Sequence, residues 1–207
     1  MNKWQYNDAN FNGVIVKNNL EKKIKNIVLV GPHASGKTYM FNQLKSSLNK
    51  TKFSFPKRLT SRPIRLNDDE QENEFTNKQK VCSENNLIIW KRSTTDAEDE
   101  YYAFEKANNN KIAVLSANNG ILESIHELGS PVNTTNSLII CVYAPLEVRQ
   151  KRILDLTPDL RSEERYKRLK ESVSDILPES DVLLLNFEPF IDDTAKALFE
   201  LIRRNYS

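Results

Sequence analysis

Eight consecutive residues near the start of the chain have the types and spacing of a phosphate-binding loop. The segment Gly31-Pro32-His33-Ala34-Ser35-Gly36-Lys37-Thr38 fits the pattern G-x-x-x-x-G-K-[ST]. Backbone N–H groups of such a loop point at an anion, and the dipole of the helix that follows favours negative charge. The two glycines permit backbone conformations that a side chain would obstruct. The segment therefore predicts a site for the phosphates of a nucleotide.

The side chains of this segment predict how a nucleoside triphosphate and a metal ion would be held. The residues expected to contact ATP are Gly31, Ala34, Ser35, Gly36, Lys37 and Thr38. The Lys37 ammonium can reach β- and γ-phosphate oxygens, and the Thr38 hydroxyl can ligate Mg²⁺. Mg²⁺, with ATP as the phosphoryl donor, is therefore the expected cofactor.

Two groups of arginines could supply the cations that phosphoryl transfer needs, because negative charge spreads over the oxygens of the transferring group. The group after the first helix consists of Arg58, Arg62 and Arg65. The group on either side of Pro158 consists of Arg149, Arg152, Arg161, Arg165 and Arg168. Taken alone, the first run would be a solvated basic loop. The second could be an exposed helical face paired with Glu163 or Glu164.

Apolar runs and helical patterns alternate along the chain and would position these residues. Buried strands are expected at 27–30, 111–116, 137–143 and 181–186, and shorter strands at 53–55 and 87–90. Helices are expected at about 40–48, 76–86, 121–128, 146–154, 162–175 and 191–204. This alternation predicts an α/β fold with a mostly parallel sheet covered by helices on both faces. The ligand crevice would lie at the carboxyl ends of the strands, where the phosphate-binding loop is found.

Length and composition restrict the size class, the partners and the location of the protein. Its 207 residues are enough for one domain with a full core, and 39% of them are hydrophobic and 28% charged. The net charge of +2 implies no general surface for nucleic acids. The first residues contain no apolar leader, and no later run approaches membrane-spanning length, so a cytoplasmic protein is expected. Cys82 and Cys141 are expected to be reduced, partly buried thiols.

From about Lys25 to Arg204, the order of elements resembles a guanylate-kinase-type P-loop kinase. The stretch Thr60-Ser61-Arg62-Pro63-Ile64-Arg65 is similar to the family's T-T-R-x-x-R, whose arginines hold the acceptor's phosphate. Tyr101-Tyr102 falls at the family's Tyr-Tyr-Gly segment, with Ala103 replacing the glycine. Ala144-Pro145 and the helix carrying Arg152 match the element that leads into the lid, and Ser162-Glu163-Glu164 through Arg168-Leu169 is similar to the run after it.

The resemblance implies a P-loop NTPase fold with an acceptor-binding insertion and a short lid. The corresponding segments are an N-terminal arm or hairpin at 1–26 and a kinase domain at 27–207, with the acceptor-binding region at about 53–104 and the lid at about 155–165. The residues expected at the acceptor are Arg58, Arg62, Arg65, Asn73 and Tyr102. Arg152 and Arg161 would close over the transferring group, and together with Lys37 they are the expected catalytic residues.

The positions at which the family recognises guanine differ in this chain. Arg58 stands where guanylate kinases carry a serine, and the family's D-Y-x-F segment reads Glu72-Asn73-Glu74-Phe75. The places near Trp90-Lys91 and Ser116-Ala117, where the family has carboxylates, contain none. The Glu72-Asn73 pair and the missing carboxylates are more similar to ribose 1,5-bisphosphate phosphokinase, a relative that acts on a sugar phosphate.

The expected function is ATP-dependent phosphoryl transfer to the phosphate of a small acceptor. The acceptor expected first is a GMP-like nucleoside monophosphate. A sugar-phosphate kinase and a guanylate-kinase-like binding module without catalysis remain as alternatives. The expected partners are ATP and the phosphorylated acceptor, with no nucleic acid and no membrane, and the chain would act as a monomer or homodimer.

Overall fold

A computed structural model describes most of the chain as two β-sheets and the helices that cover them. The described residues are 4–5, 13–17, 20, 22–64, 73–83, 85–92, 99–106, 110–127, 130–156, 169, 174 and 176–206. The strands are β1 (Trp4–Gln5), β2 (Val14–Lys17), β3 (Asn26–Val30), β4 (Phe53–Ser54), β5 (Arg58–Thr60), β6 (Asn73–Phe75), β7 (Asn86–Arg92), β8 (Glu100–Glu105), β9 (Ile112–Ser116), β10 (Ser137–Tyr143) and β11 (Val182–Leu185). The helices are α1 (Lys37–Ser47), α2 (Lys78–Val81), α3 (Ile121–Ile125), α4 (Leu146–Leu156) and α5 (Ile191–Tyr206), with a 3₁₀ turn at Leu177–Glu179.

The larger sheet has seven strands in the order β1-β2-β11-β10-β3-β9-β4. The strands from β11 to β4 are parallel, whereas β2 pairs antiparallel with β11, and β1 pairs antiparallel with β2. The chain passes from β3 to β4 on one side, and later crosses from β9 to β10 on the other side of β3. The strand order therefore reverses at β3, and such a switch point opens a crevice at the carboxyl ends of the strands.

The parallel strands lie in the middle of the molecule because their side chains are apolar on both faces. All five residues of β3 are buried. Ile27 and Leu29 face one layer, and Val28 and Val30 face the other, as the alternation of a strand requires. This confirms that the continuous apolar runs belong to a central sheet covered on both sides.

The two faces of the larger sheet are covered by different kinds of layer. On one face, α1 contributes Met40 and Leu44 to the core, and α5 contributes Leu198 and Ile202. On the other face, α3 and the smaller sheet pack together; their buried residues there include Ile121, Ile125, Ile88, Trp90, Tyr102 and Phe104. The predicted α/β fold with a mostly parallel sheet is therefore confirmed, with a second sheet replacing part of the helical cover.

The smaller sheet has four strands in the order β6-β5-β8-β7 and lies within residues 73–75, 58–60, 100–105 and 86–92. Its existence corrects the interpretation of the basic run at 57–65 as a loop, because Arg58–Thr60 forms strand β5. Leu59 is buried in a small core with Val81 and Ala103, so burial of one apolar side chain and pairing on both sides fix this strand.

Several boundaries also differ from the sequence-based expectation. The helix expected at 76–86 is limited to Lys78–Val81, because Asn77 caps its start and the chain enters β7 at Asn86. The expected helix at 162–175 and most of the expected lid lie outside the described residues.

Of the two cysteines, Cys141 is buried and Cys82 is exposed. Among the described helices, none has both the length and the apolar character needed to cross a lipid bilayer.

Candidate active site

The phosphate-binding loop connects β3 to α1 at the carboxyl end of the larger sheet. Helix α1 begins at Lys37, and Gly36 is its N-cap residue with a left-handed backbone. The first N–H groups of a helix have no partner within the helix, so those of α1 are directed toward the loop mouth. Together with the helix dipole, they form a binding site for an anion.

Two glycines allow the loop to approach the neighbouring strands. A Cβ atom on Gly31 would clash with the carbonyl oxygen of Val142, and one on Gly36 would clash with the side-chain amide of Asn186. Both glycines have positive φ angles, of 151° and 93°. Ala34 also has a positive φ, of 61°, which is uncommon for a residue with a Cβ atom. The loop therefore has a tightly constrained backbone at three of its positions.

Lys37 and Thr38 lie in the first turn of α1, at the mouth of the loop. The Lys37 ammonium donates hydrogen bonds to the carbonyl oxygens of Gly31 and Pro32, at 2.7 and 3.0 Å. These contacts hold the positive charge over the loop, within the space that the loop encloses. The Thr38 side chain is exposed. The loop residues expected to bind ATP are thus brought together, with Ser35 buried beneath them.

The back of the loop is supported by the last parallel strand and by α4. The Asn186 amide donates to the Ser35 carbonyl at 2.7 Å. The Arg152 guanidinium donates to the carbonyls of Ser35 at 3.1 Å, Ala34 at 3.3 Å and Asn186 at 2.7 Å. Burial lowers the pKa of Arg152. These contacts direct the guanidinium to the carbonyl side of the loop, so in this structure Arg152 braces the loop. Arg161, the other arginine expected to close over the site, lies outside the described residues.

Arg58 links the smaller sheet to the larger one. Its Nε and Nη2 atoms donate to Oδ1 of Asn73, at 2.9 and 2.7 Å, and its Nη1 donates to the Ser116 carbonyl at 3.3 Å. Asn73 is on β6 and is only 5% exposed, and Ser116 ends β9. Arg58 and Asn73, both expected at the acceptor, are therefore neighbours at the carboxyl end of the larger sheet.

Arg62 and Tyr102 belong to the same cluster. Arg62 is 8% exposed, and its guanidinium lies over the ring of Phe75 at 5.0 Å while donating to the Pro63 carbonyl. Burial raises the pKa of Tyr102, its hydrogen bond to Glu100 raises it further, and the charges of Arg62 and Arg58 oppose this rise. The structure thus brings together four of the five residues expected at the acceptor, and Arg65 lies outside the described residues.

An aromatic stack packs against Tyr102 of this cluster. The Trp90 ring stacks on Tyr102 with centroids 5.5 Å apart, and its indole N–H donates to Oδ1 of Asn118 at 2.9 Å. Trp90 is 2% exposed, so it is a core residue. Trp90 and Asn118 are thus bonded to each other, near the positions where the sequence resemblance implies carboxylates in the family.

Sequence reasoning missed two polar residues of the site. Asn186 could have been found because it is the polar residue that ends a buried apolar strand, at the edge where ligands bind. Glu100 is 9% exposed and accepts a hydrogen bond from the Tyr102 hydroxyl. Its signal was its position two residues before Tyr102, since alternate residues of a strand share one face.

The donor set at the loop mouth fits Mg²⁺. Mg²⁺ prefers oxygen ligands and keeps several waters, so one hydroxyl group such as that of Thr38 can serve beside the phosphate oxygens of a nucleotide. Within the described ranges, no group of three or more His, Cys, Asp or Glu side chains could hold a metal ion by itself.

Comparison with known proteins connects this geometry to a fold. No protein-family model matches the chain, and no curated protein matches its sequence. Among solved structures, the guanylate kinase from Anaplasma phagocytophilum is similar, with a TM-score of 0.54 and 13% identity over 89% of this chain and 87% of that chain. The shikimate kinase from Acinetobacter baumannii in complex with shikimate matches with a TM-score of 0.45 and 18% identity over 89% of this chain and 96% of that chain.

The similarity to the guanylate kinase shows that the chain has a P-loop kinase fold. The expected resemblance is confirmed for the fold, and membership of the guanylate kinase family stays a prediction.

Proposed function

We propose that the protein transfers the γ-phosphoryl group of ATP to the phosphate of a small acceptor. The observation that carries this proposal is the loop at 31–36, whose left-handed glycines and helix N-terminus surround the Lys37 ammonium at the switch point of a parallel sheet. This arrangement suits the phosphates of a nucleotide, and the arginine cluster on the smaller sheet suits a second phosphorylated molecule.

On the donor side, the chain's own groups supply positive charge and orientation. The amides at the start of α1 and the Lys37 ammonium would hold the β- and γ-phosphate oxygens, with Lys37 exchanging its carbonyl partners for them. Mg²⁺ bound with ATP and held by Thr38 would neutralise charge on the phosphates. Arg152 and Asn186 keep the loop carbonyls turned away from the phosphates by bonding to them.

On the acceptor side, Arg62 and Arg65 would hold the acceptor's phosphate. In the reaction, the bond from the γ-phosphorus to the bridging β,γ-oxygen breaks, and a bond to an acceptor phosphate oxygen forms. An ionised phosphate needs no general base, so cations and exclusion of water carry the catalysis. Arg161 would contribute a further cation when the lid closes over the site. We also propose that the protein acts in the cytoplasm.

A nucleoside monophosphate is the acceptor that the resemblance favours. The contact between Trp90 and Asn118 favours a second candidate, a sugar phosphate, because it occupies part of the region where a purine base would be read. Both candidates carry the phosphate that the arginine cluster requires.

The test is ADP release from Mg·ATP across a panel of acceptors. The panel contains GMP, dGMP, AMP, the pyrimidine monophosphates and ribose 1,5-bisphosphate. Lys37→Ala should lower kcat about a hundredfold to a thousandfold, because it removes a cation that acts on the transferring group. Lys45→Ala, on the last turn of the same helix, is the matched control and should leave kcat within about twofold.

Two outcomes would contradict the proposal. Equal turnover by wild type and Lys37→Ala would show that the loop is not the donor site. ATP binding without ADP release on any acceptor would favour a binding module that lacks catalysis.

A further inference from the structure

Glu100 lies on the face of the smaller sheet that carries the arginine cluster. Along β8, Tyr102 and Phe104 are buried against residues of the larger sheet, whereas Tyr101 packs against the separate small core on the opposite face. Because alternate residues share a face, Glu100 projects to the same side as Tyr102. It is 9% exposed, so a carboxylate is buried at the place where the acceptor is expected.

Glu100 and Arg62 both lie near the Tyr102 hydroxyl. Thr60 pairs with Tyr102, and beyond this pair the Ser61 amide donates to the Tyr101 carbonyl at 3.0 Å. Arg62 follows directly after Ser61. Glu100 accepts the hydrogen bond of the Tyr102 hydroxyl, and the charge of Arg62 acts on the same hydroxyl. A group that meets the Glu100 carboxylate is therefore close to a phosphate that Arg62 holds.

The proton of the Tyr102 hydroxyl decides what this cluster can recognise. A tyrosine hydroxyl has a single proton, and Tyr102 donates it to Glu100. Tyr102 therefore offers lone pairs, not a donor, to anything bound beside it. A carboxylate has about four lone-pair sites, so Glu100 can accept further hydrogen bonds while bonded to Tyr102. Together the two side chains select for hydrogen-bond donors.

We infer that Glu100 reads a hydroxyl group of the acceptor, next to the phosphate that Arg62 binds. This inference rests on the proposed function and narrows its substrate class to a phosphorylated pentose or a ribonucleoside monophosphate. A second phosphate at this position would be repelled by the carboxylate. The N–H groups of a base lie farther from the phosphate than the sugar hydroxyls do, so a hydroxyl is the donor that fits the position.

The first test uses the wild-type protein and deoxy analogues of whichever acceptor it phosphorylates. The 2′-deoxy and 3′-deoxy nucleoside monophosphates, or 2-deoxyribose 5-phosphate against ribose 5-phosphate, each remove one hydroxyl. Loss of the hydroxyl that meets Glu100 should lower kcat/KM at least about tenfold, because one hydrogen bond to a buried carboxylate is lost. The KM for ATP should stay within about twofold.

The second test asks whether Glu100 causes this preference. Glu100→Gln keeps the shape and an oxygen for Tyr102 but removes the charge that strengthens the hydrogen bond. It should reduce the preference for the hydroxyl-bearing acceptor to about twofold or less. Glu105→Gln is the matched control, since Glu105 is exposed and on the opposite face of the same strand, and it should keep the full preference.

The outcomes separate this inference from the proposed function. ADP formation with no preference between any acceptor and its deoxy analogues overturns the inference alone, as does a full preference in Glu100→Gln. No ADP formation with any acceptor overturns the proposed function and the inference with it. If Glu100→Gln does not fold, the absence of a preference in the wild-type analogue series still overturns the inference.

Discussion

Gly36 lies where the phosphate-binding loop enters α1, and its backbone leaves no room for a side chain. Its φ of 93° is left-handed, and an added Cβ atom would meet the Asn186 amide that supports Ser35. A side chain here would therefore disturb both the backbone and the contact that braces the loop.

We predict that Gly36→Ala destabilises the protein and weakens ATP binding. The left-handed conformation alone costs a residue with a Cβ atom about 1–2 kcal/mol, and displacement of Asn186 adds to this cost. Urea denaturation should show a loss of at least about 1 kcal/mol, and titration with Mg·ATP should show a much higher Kd. A variant that binds Mg·ATP like the wild type would contradict the loop geometry described above.

Ala34→Gly is the matched control for this prediction. Removal of the Cβ atom relieves the strain of the positive φ at Ala34. Glycine also makes the unfolded chain more flexible, which lowers the free energy of unfolding by about 0.5–1 kcal/mol. The two effects oppose each other, so the free energy of unfolding should change by less than about 1 kcal/mol and ATP affinity should be kept.

At the scale of elements, the contact between Arg58 and Asn73 joins β5 to β6 and, through Ser116, to the larger sheet. We predict that Asn73→Ala destabilises the protein by about 1–3 kcal/mol, because the Arg58 guanidinium loses a partly buried acceptor. Urea denaturation measures this change. Asn85→Ala, at an exposed asparagine beside β7, should stay within about 0.5 kcal/mol of the wild type. Equal effects of both variants would argue against the bridge.

The same elements show how far the sequence alone can predict this fold. Strands β3, β9 and β10 are continuous apolar runs, and burial on both faces produces such runs directly. Strands β5 and β6 have three residues each and include Arg58, Asn73 and Glu74. Strand β5 pairs with β8, which is distant in sequence, and β6 pairs with β5, so a local pattern cannot indicate their extended conformation.

At the scale of the whole molecule, Cys141 lies in the middle of the larger sheet, and burial raises the pKa of its thiol from 9.0 to about 12. The unfolded chain therefore loses this proton at a lower pH than the folded protein does. The contribution of the neutral thiol is fully present below about pH 9 and is lost as the pH rises toward 12.

We predict that the free energy of unfolding falls more steeply above pH 9 in the wild type than in Cys141→Ala. Urea denaturation at a series of pH values measures both slopes, and the variant serves as the reference for other groups that titrate in this range. Identical slopes would show that the thiol is not shielded from solvent in the folded protein. Cys82→Ala, which removes the exposed thiol, should keep the wild-type slope.

The two halves of the candidate site differ in how well the sequence predicts them. The donor half is contiguous from Gly31 to Thr38, so one pattern of eight residues predicts it. The acceptor half is assembled from strands that are distant along the chain, and Glu100 enters it only through strand register. Asn186, which braces the donor loop, is brought there only by strand order. Their roles follow from tertiary structure, which single-sequence patterns do not contain.

The short outermost strands of the larger sheet have a consequence for self-association. An open sheet presents unpaired N–H and C=O groups along both margins, and these can template pairing with another chain and lead to aggregation. In the described part of this chain, the margins are β1 and β4, each only two residues long. Each margin offers too few unpaired groups to extend the sheet into a second molecule. Among the described strands, the larger sheet is therefore poorly suited to continue from one copy to the next through β1 or β4.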